Sequence, residues 1–516
     1  MNEERPHRTL LLISLPLIVL LFYGTASLHF PYTPDDTYIY LQFAKNVTQG
    51  NGISFNAGEQ TYGITSPLWM FIIALGGKMG VDFYVAAKAI DLVFASLALM
   101  AVYLLAFEII RDVGVALSAT VAFSVNAWFL RWSGSGMETS LSVLLTLATL
   151  LFCLRNEYFL SVVFAGLLTL TRPEGGLLAG VIAADVLFNS HNRRRALKIA
   201  LSVLLIYGAL ILPWLLYASS VFGTPVPNTA LGKAGWNLSP GDLLATFSDA
   251  VKTLLAADAV AVLVFLGAGF LLFMRFRRGA DAGRDAGRAE YVSRQSLPGI
   301  VWVAGLLLLY VVSGTNVVSR YLLMTSPLIT IYAFFFLYEL LAASPWRRGA
   351  SAGVIVLTAL IMLQNQIVYH RYVLPGIEAF EEGMESCLIP IGRWINESTP
   401  PGSTVVTGDI GAIGYFSGRK VCDAAGLVSP ALLPLIHRGL KPNEIIERKL
   451  YEACCAPEYV VHRAPDPEEL KSDSDLVPVL SKPFPNMSLN DPRTNYFTVY
   501  RVRHAVPAGK APEAGQ

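Results

Sequence analysis

The sequence predicts an α-helical polytopic membrane protein that ends in a small soluble α/β domain. Of its 516 residues, 54% are hydrophobic and only 15% are charged, whereas a soluble globular chain carries about 25% charged residues. Apolar runs approaching the roughly 20 residues that a bilayer crossing requires recur from residue 9 to residue 368. After residue 369 the composition changes to that of a soluble domain.

The apolar runs predict the spans in chain order. A basic flank precedes the first run as in a signal peptide, but no A-x-A-like cleavage site follows it. We therefore interpret the first run as an uncleaved signal anchor. The runs lie at residues 9–28, 66–79, 84–110, 113–130, 139–154, 159–170, 175–188, 196–217, 258–276, 297–313, 321–341 and 351–368.

Short basic loops orient these spans, because loops rich in Lys and Arg stay in the cytoplasm. The basic loops are residues 5–8, Arg111, Arg155, residues 193–195, residues 275–294 and residues 347–348. All of them fall inside if the run at 84–110 starts outside, so the short run at 66–79 should not cross. We predict that this run is an interfacial or re-entrant helix on the outer face. About eleven spans remain, with a cytoplasmic N-terminus and an extracytoplasmic C-terminal domain.

We divide the chain into a transmembrane module at residues 1–370, an extracytoplasmic α/β domain at 371–503 and a disordered tail at 504–516. Within the module, residues 29–83 form an outer loop with interfacial helices, and the low-complexity tract 275–296 forms a flexible cytoplasmic linker. In the α/β domain a helix is predicted at residues 377–396, and short strands alternate with helical stretches. The predicted strands are residues 403–407, 420–422, 458–462 and 496–502.

Asp35 and Asp36 stand near the start of the outer loop. Two adjacent carboxylates at the exit of a membrane span are costly unless they face water, a cation or a substrate. One interpretation is that they cap the helix that follows. The other is that they raise each other's pKa and serve as a base or a cation site.

Further polar side chains fall on the predicted outer face. Glu138 starts a span, where an acid suits the helix dipole; alternatively it orients an acceptor or binds a divalent ion. Arg172 and Glu174 lie at a helix junction and either pair with each other or contact a phosphate. Arg320, next to Tyr321, either snorkels to lipid headgroups or binds a phosphate through its guanidinium.

An ordered set of motifs resembles one enzyme family. Asp35-Asp36, followed by Gly63 and Thr65-Ser66-Pro67-Leu68-Trp69, is similar to the first extracytoplasmic loop of bacterial type-C (GT-C) glycosyltransferases. These are polytopic enzymes that use polyprenyl-phosphate-linked sugars, and the likeness is greatest to the terminal arabinofuranosyltransferase-like branch. Further matching motifs are Gly136-Met137-Glu138-Thr139, Arg172-Pro173-Glu174-Gly175, Pro227-Asn228-Thr229 with Lys233, Arg320-Tyr321, and Gly408-Asp409-Ile410-Gly411 through Asp423-x-x-Gly426-Leu427.

The resemblance implies a membrane glycosyltransferase of the bacterial cytoplasmic (inner) membrane. The donor would be a polyprenyl-phosphate sugar, a hexose or a pentose, and the acceptor an envelope glycan, a lipid or a protein. Asp35 would take the acceptor proton with inversion at the sugar, Asp36 is the second candidate, and Glu138 would complete the catalytic set. The substrate-binding residues would be Arg172, Glu174, Asn228, Lys233, Arg320 and Tyr321.

Two other functions stay open at this point. A polymerase or ligase of lipid-linked glycans would use a whole oligosaccharide donor. A glycan or lipid transporter would need ionisable residues deep within the spans, whereas the few that occur lie mostly towards span ends. The net charge of +1 gives no general attraction for nucleic acid.

Metal and disulfide assignments are less defined. A divalent cation is a candidate cofactor, although no spacing of His, Cys and Asp residues indicates where it would bind. The five cysteines are too few for a disulfide scaffold. Cys454 and Cys455 are adjacent and cannot bridge each other without strain. The pair Cys387–Cys422 is the disulfide that we consider for an oxidising compartment.

Overall fold

The computed structural model describes residues 4–27, 30–189, 192–233, 239–280, 286–342, 349–470, 473–485, 487 and 493–503. The chain divides into two compact units. The first unit comprises Met1–Phe30, Lys88–Leu215 and Gly235–Leu374, and the second comprises Pro31–Ala87, Leu216–Ala234 and Pro375–Gln516. The predicted disordered tail at 504–516 lies outside the described residues.

Helices make up most of the described chain. In order they are α1 (Glu4–Ser27), α2 (Asp35–Thr48), α3 (Pro67–Lys78), α4 (Phe83–Ile110), α5 (Val113–Ser124), α6 (Ala127–Trp132), α7 (Thr139–Leu154), α8 (Tyr158–Thr171), α9 (Gly176–Asn189), α10 (Arg193–Phe222), α11 (Asn228–Lys233), α12 (Pro240–Ala280), α13 (Ala286–Val312), α14 (Ser319–Leu322), α15 (Ser326–Ala342), α16 (Ala350–Val368), α17 (Leu374–Gly383), α18 (Ile389–Ser398), α19 (Gly411–Ser417), α20 (Leu433–His437) and α21 (Pro442–Glu447).

Within the described residues, five helices are long and apolar enough to cross a membrane, judged by length and composition. They are Phe83–Ile110, Arg193–Phe222, Pro240–Arg278, Gly287–Val312 and Ala350–Ser398. Shorter apolar helices, such as Thr139–Leu154 and Ser326–Ala342, accompany them. Multiple apolar helices agree with a multi-pass membrane protein, while the total of about eleven spans and their orientation stay predictions.

The apolar run at 113–130 is not one helix, as predicted, but two. The Asn126 side chain breaks it: its Oδ1 accepts the N–H groups of Trp128 and Phe129, both at 3.1 Å, and so starts α6. Its Nδ2 donates to Asp258 Oδ1 at 2.9 Å. Asp258 was expected to begin a span, yet it lies well inside α12. A side-chain cap supplies acceptors that the first helical amides lack, which explains the new start.

Two stretches are more helical than the sequence predicted. The tract 275–296 is helical wherever it is described, since α12 continues to Ala280 and α13 begins at Ala286. The helix predicted at 377–396 is the end of a longer helical segment, Ala350–Ser398. Five-residue π-helical turns at Tyr369–Val373 and Met384–Leu388 interrupt its α-helical pattern.

The second unit contains a mixed five-stranded sheet in the order β2-β1-β3-β5-β4. Its strands are β1 (Thr404–Thr407), β2 (Lys420–Asp423), β3 (Tyr459–Ala464), β4 (Leu476–Phe484) and β5 (Asn495–Val502). β1 is parallel to β2 and β3, and β5 is antiparallel to β3 and β4. The four predicted strands are present. β4 was missed because it carries Pro478 and Pro483 and an irregular register, which an edge strand tolerates.

The core of this α/β domain lies against one face of the sheet. Val406, Val460 and Tyr500 pack there with Ile445 and Ile446 of α21. Apolar burial of this kind contributes roughly 25 cal/mol per Å² removed from water.

A disulfide joins Cys422 of β2 to Cys455. The pairing Cys387–Cys422 that we considered is therefore wrong. Cys387 is a buried free thiol whose Sγ lies 3.5 Å from the carbonyl oxygen of Lys482 in β4.

Candidate active site

Asp35 links the beginning of α2 to the beginning of α19. Its Oδ2 accepts the backbone N–H of Gly411 at 2.9 Å, and its Oδ1 accepts that of Ala412 at 2.8 Å. The first amides of a helix lack partners within the helix, and its N-terminus favours a negative charge. The capping role considered for the Asp pair therefore exists, but on a helix 376 residues further along the chain. The N-cap of α2 itself is Pro34, which makes no side-chain cap.

Asp35 belongs to a group of three carboxylates, Asp35, Asp36 and Asp409, which we call the acidic cluster. Burial raises the pKa of Asp35 to about 7, and the charges of Asp409 and Asp36 add to the rise. Burial also raises the pKa of Asp409, although the Arg463 guanidinium, with Nη1 at 3.1 Å from Asp409 Oδ1, opposes this. A carboxyl group that titrates near neutrality is suited to exchanging a proton. Asp409 lies in a motif that resembles the glycosyltransferase family, but the sequence predicted no role for it, and Arg463 was not predicted as a site residue.

Asn228, predicted to bind substrate, holds distant backbone segments together. Its amide N–H donates to the carbonyl of Tyr62 at 2.9 Å, and its Nδ2 donates to the carbonyl of Leu427 at 3.0 Å. Gly63 packs so closely here that a Cβ would lie 3.0 Å from the Leu427 oxygen. Three motifs that are far apart in sequence therefore meet. Lys233 ends α11, and its side chain lies outside the described residues.

The first unit brings Glu138, Arg172 and Glu174 together. Arg172 Nη1 donates to Glu138 Oε1 at 3.0 Å, and Nη2 donates to Glu174 Oε1 at 3.1 Å. The Tyr310 hydroxyl also donates to Glu174 Oε1, at 2.9 Å. The Arg172–Glu174 contact, one of the two alternatives from sequence, is thus present. Because all three charged side chains are largely withdrawn from solvent, their charges compensate one another within the protein.

Arg320 is buried among aromatic rings in the same unit. Only 8% of the residue is exposed, and its guanidinium carbon lies 5.3 Å from the ring centre of Trp132 and 5.4 Å from that of Tyr321. Arg172 lies 4.5 Å from the Tyr321 ring. Aromatic faces attract a guanidinium and hold its plane. Burial by protein side chains argues against the alternative in which Arg320 snorkels to lipid headgroups.

Two buried charged residues of α4 were not predicted from the sequence to belong to a site. Lys88 is fully buried, with Nζ 5.0 Å from the ring centre of Phe30. Asp91, also fully buried, accepts the backbone N–H of Gly136 through Oδ2 at 3.1 Å and so positions the loop before Glu138. The sequence did contain a signal for them: a Lys and an Asp lie one helical turn apart near the start of an apolar run, where charged residues are rare.

In the part of the chain that the structure describes, two groups of three side chains have ligand atoms within 4.8 Å of one another. They are Cys422, Cys454 and Cys455, and Glu447, His462 and Glu469. Neither group contains a residue of the acidic cluster or Glu138. The spacing in sequence had indicated neither group.

Comparisons with known proteins place these features in context. Residues 377–501 match a family model described as "Domain of unknown function (DUF8728)". The chain is 28% identical over 247 residues to the terminal beta-(1->2)-arabinofuranosyltransferase of Mycobacterium tuberculosis (strain ATCC 25618 / H37Rv). That match covers 44% of this chain, and the chain spans only 38% of the relative's length.

Solved structures are similar over nearly the whole chain. ArnT from Cupriavidus metallidurans, bound to undecaprenyl phosphate, matches with a TM-score of 0.59 and 13% identity over 96% of this chain and 99% of its own. The oligosaccharyltransferase AglB from Archaeoglobus fulgidus, in complex with an inhibitory peptide and a dolichol-phosphate, matches with a TM-score of 0.53 and 13% identity over 90% and 70%. The chain has the type-C glycosyltransferase fold. The fold predicted from the motifs is thereby confirmed, including its helical part and its small α/β domain.

This type-C glycosyltransferase fold carries an apolar groove in its first unit. The groove has a volume of about 450 Å³ and lies between the second half of α12 and the first half of α13. Phe265, Phe270 and Phe273 line one wall, and Val292 and Ile300 the other. An apolar groove of this kind suits a hydrocarbon chain.

Proposed function

We propose that this chain is a membrane glycosyltransferase. It moves a sugar from a polyprenyl-phosphate donor to a glycan, lipid or protein acceptor of the cell envelope, with inversion at the sugar. The type-C fold supports the class, and the names of the similar proteins include an arabinofuranosyltransferase and an ArnT bound to undecaprenyl phosphate. The observation that carries the proposal is the acidic cluster, in which Asp35 joins the start of α2 to the start of α19 and Asp36 lies close to Asp409.

The proposed step needs a base. A carboxylate takes the proton of the acceptor hydroxyl while the hydroxyl oxygen bonds to the anomeric carbon of the sugar. The bond from that carbon to the phosphate oxygen breaks, and its electron pair stays on the phosphate. General-base help of this kind is worth about 10²–10⁴ in rate.

We assign the base to Asp36 and a positioning role to Asp35. Sequence reasoning had favoured Asp35, but both of its oxygens accept backbone N–H groups. A carboxylate whose two oxygens both accept backbone N–H groups stabilises the fold and is poorly placed to accept a substrate proton. Asp36 is the next residue of the same helical turn and, like Asp35, is half-buried. Its charge raises the pKa of both neighbouring carboxyl groups, which places its carboxylate close to theirs.

Within the first unit, we assign phosphate binding to Arg320. Arg172 already donates to two carboxylates, Glu138 and Glu174, so its charge is compensated. Arg320 is buried between aromatic faces, which hold the guanidinium plane in one orientation. A planar guanidinium can give two parallel hydrogen bonds to a phosphate, and charge-assisted bonds of this type stabilise a developing anion.

We further propose that the second unit lies on the extracytoplasmic face of the bacterial cytoplasmic membrane. The Cys422–Cys455 disulfide supports this, because such bonds persist in oxidising compartments. α3 exposes Phe71 and Leu75, and Met79, which directly follows the last residue of α3, is also exposed; the three are spaced four residues apart. An exposed apolar stripe on a short helix suits the membrane surface and supports the interfacial helix predicted for this segment.

A donor comparison tests the function. Purified full-length protein in lipid nanodiscs is given a panel of monosaccharide polyprenyl phosphates, with pentose or hexose, and an envelope extract from a deletion strain as acceptor. Mass spectrometry of the products should show transfer from at least one such donor. An oligosaccharide pyrophosphate donor should give none. Transfer from that second donor alone would contradict the proposal and favour the ligase alternative.

A further inference from the structure

Three side chains of the α/β domain converge at a point that the proposed reaction does not use. Glu447 ends α21, His462 lies in β3, and Glu469 lies in the turn that follows β3. One possible ligand atom from each lies within 4.8 Å of the others. We propose that these three residues bind a divalent transition-metal ion, with zinc as the expected occupant. Imidazole nitrogen and carboxylate oxygen are ligands that zinc takes, often three from the protein with water as the fourth.

The spacing of the pair His462 and Glu447 is that of two ligands on one ion. His462 Nε2 lies 3.4 Å from Glu447 Oε1, which is longer than the 2.7–3.2 Å typical of an N–H···O hydrogen bond. Two atoms that each lie about 2.0–2.1 Å from zinc, at a tetrahedral angle, are about 3.3 Å apart. The separation of these two atoms is therefore compatible with both of them ligating one ion.

The site lies on the opposite face of the sheet from the acidic cluster. Successive side chains of a strand point to opposite faces. Arg463, the neighbour of His462, contacts Asp409 of the acidic cluster at 3.1 Å. His462 consequently shares its face with Val460, which packs against Ile445 and Ile446 of α21.

Hydrogen bonds hold the backbone segments that carry the three side chains. Asn443 Nδ2 of α21 donates to the carbonyl of Arg463, next to His462, at 2.6 Å. The hydroxyls of Thr498 and Tyr500, both in β5, donate to the carbonyl of Pro467 at 3.2 Å and so fasten the turn that contains Glu469. Three separate elements are thus fixed around one point, as a metal site of defined geometry requires.

Burial and charge also fit an ion. The His462 side chain is 1% exposed, whereas that of Glu447 is 35% exposed and Glu469 lies at the surface. The imidazole thus faces the ion from the interior, and the two carboxylates close the site from the solvent side. A water molecule can reach the fourth position from solvent. A divalent cation would compensate the two negative charges gathered beside a buried ring.

Zinc binding to the full-length protein tests the proposal. The purified chain, with its affinity tag removed, is stripped with chelator and then titrated with zinc chloride without thiol reductant, so that the Cys422–Cys455 disulfide stays closed. We expect one zinc per chain by elemental analysis and a rise in the unfolding temperature on zinc addition. Glu447→Gln and Glu469→Gln, both at exposed positions, should each weaken zinc binding at least tenfold and reduce that rise.

Controls separate this site from others. Glu452→Gln removes an exposed carboxylate of the same domain, and Cys454→Ser removes the free thiol beside the disulfide; both should bind zinc as the wild type does. Asp36→Asn should also keep its zinc, since it alters only the acidic cluster. Absence of zinc from the wild type, or unchanged affinity in both glutamate variants, would overturn the proposal.

Discussion

Asp35 Oδ2 accepts the backbone N–H of Gly411 at 2.9 Å, across 376 residues of sequence. With the matching bond to Ala412, this contact fixes the first turn of α2 to the first turn of α19. Residues 31–87 and 375–516 belong to one compact unit as a result of contacts of this kind. The outer loop and the α/β domain are therefore a single structural body.

Gly411→Ala should break that contact. A Cβ at this position would lie 2.0 Å from the backbone oxygen of Asp35 and 2.6 Å from its carboxyl carbon, so one of the two segments must shift. We expect a loss of about 1–3 kcal/mol in the free energy of unfolding, measured by thermal or denaturant unfolding of the purified protein. Gly402→Ala is the matched control, because its Cβ would meet nothing within 4 Å. Equal stability of the two variants would contradict the close packing at Gly411.

The raised pKa of Asp35 predicts a pH dependence of stability. Its carboxyl titrates at about 7 in the folded chain and at 3.8 ordinarily, so between these values the folded state binds more protons than the unfolded state. The free energy of unfolding should therefore decrease as pH rises through this window. Asp423, whose pKa burial raises to about 6, acts in the same direction. The difference between wild type and Asp35→Asn isolates Asp35, and it should be larger at pH 4.5 than at pH 7.5. A difference that is constant or grows with pH would contradict the assignment.

Arg320→Lys should weaken use of the donor although the charge is kept. An ammonium lacks the planar fork that stacks between Trp132 and Tyr321 and that matches a phosphate. We expect kcat/KM for the polyprenyl-phosphate donor to fall about 10–100-fold, or about 1.4–2.7 kcal/mol. Arg371→Lys, at an exposed position of the first unit, should leave it unchanged. Equal kinetics in the two variants would contradict phosphate binding by Arg320.

The Cys422–Cys455 disulfide should stabilise the α/β domain. It closes a loop with a sequence separation of 33, for which loop-closure entropy gives about 4 kcal/mol. Cys455→Ala should lower the unfolding temperature of protein isolated without reductant, and reductant should have no further effect on that variant. Cys454→Ala, which removes an exposed free thiol, is the control. If Cys455→Ala and Cys454→Ala unfold alike, the disulfide contributes no stability.

Local patterns in the sequence predicted local structure well. A β-branched run predicted β1, and the other predicted strands correspond to β2, β3 and β5. Ser66 stands at the start of α3, where its hydroxyl accepts the Trp69 N–H at 3.4 Å. Asn126 was a readable signal that was not used, since an Asn before an apolar segment often caps a new helix. β4 was not predicted because proline is incompatible with a central strand. Its prolines are tolerated because β4 lies at the edge of the sheet.

Long-range pairings could not be predicted in the same way. Hydrophobic periodicity and turn chemistry describe neighbours along the chain, but the partners of Asp35 and Arg172 depend on tertiary packing. The sequence singled out both residues correctly as charges that need partners. It could not decide whether those partners were substrate groups or protein groups. The structure supplies protein partners for both, backbone amides for Asp35 and two carboxylates for Arg172.

Sugar transfer by Asp36→Asn, compared with Asp35→Asn, tests the central claim most directly. Asp249→Asn, at an exposed position, serves as the control for a lost carboxylate. We expect Asp36→Asn to keep the wild-type unfolding temperature and to lose about 10²–10⁴ in transfer rate. Asp35→Asn should instead lose about 1–3 kcal/mol of stability, because an amide nitrogen would face a helix N–H. Wild-type transfer by a stably folded Asp36→Asn protein would contradict the account.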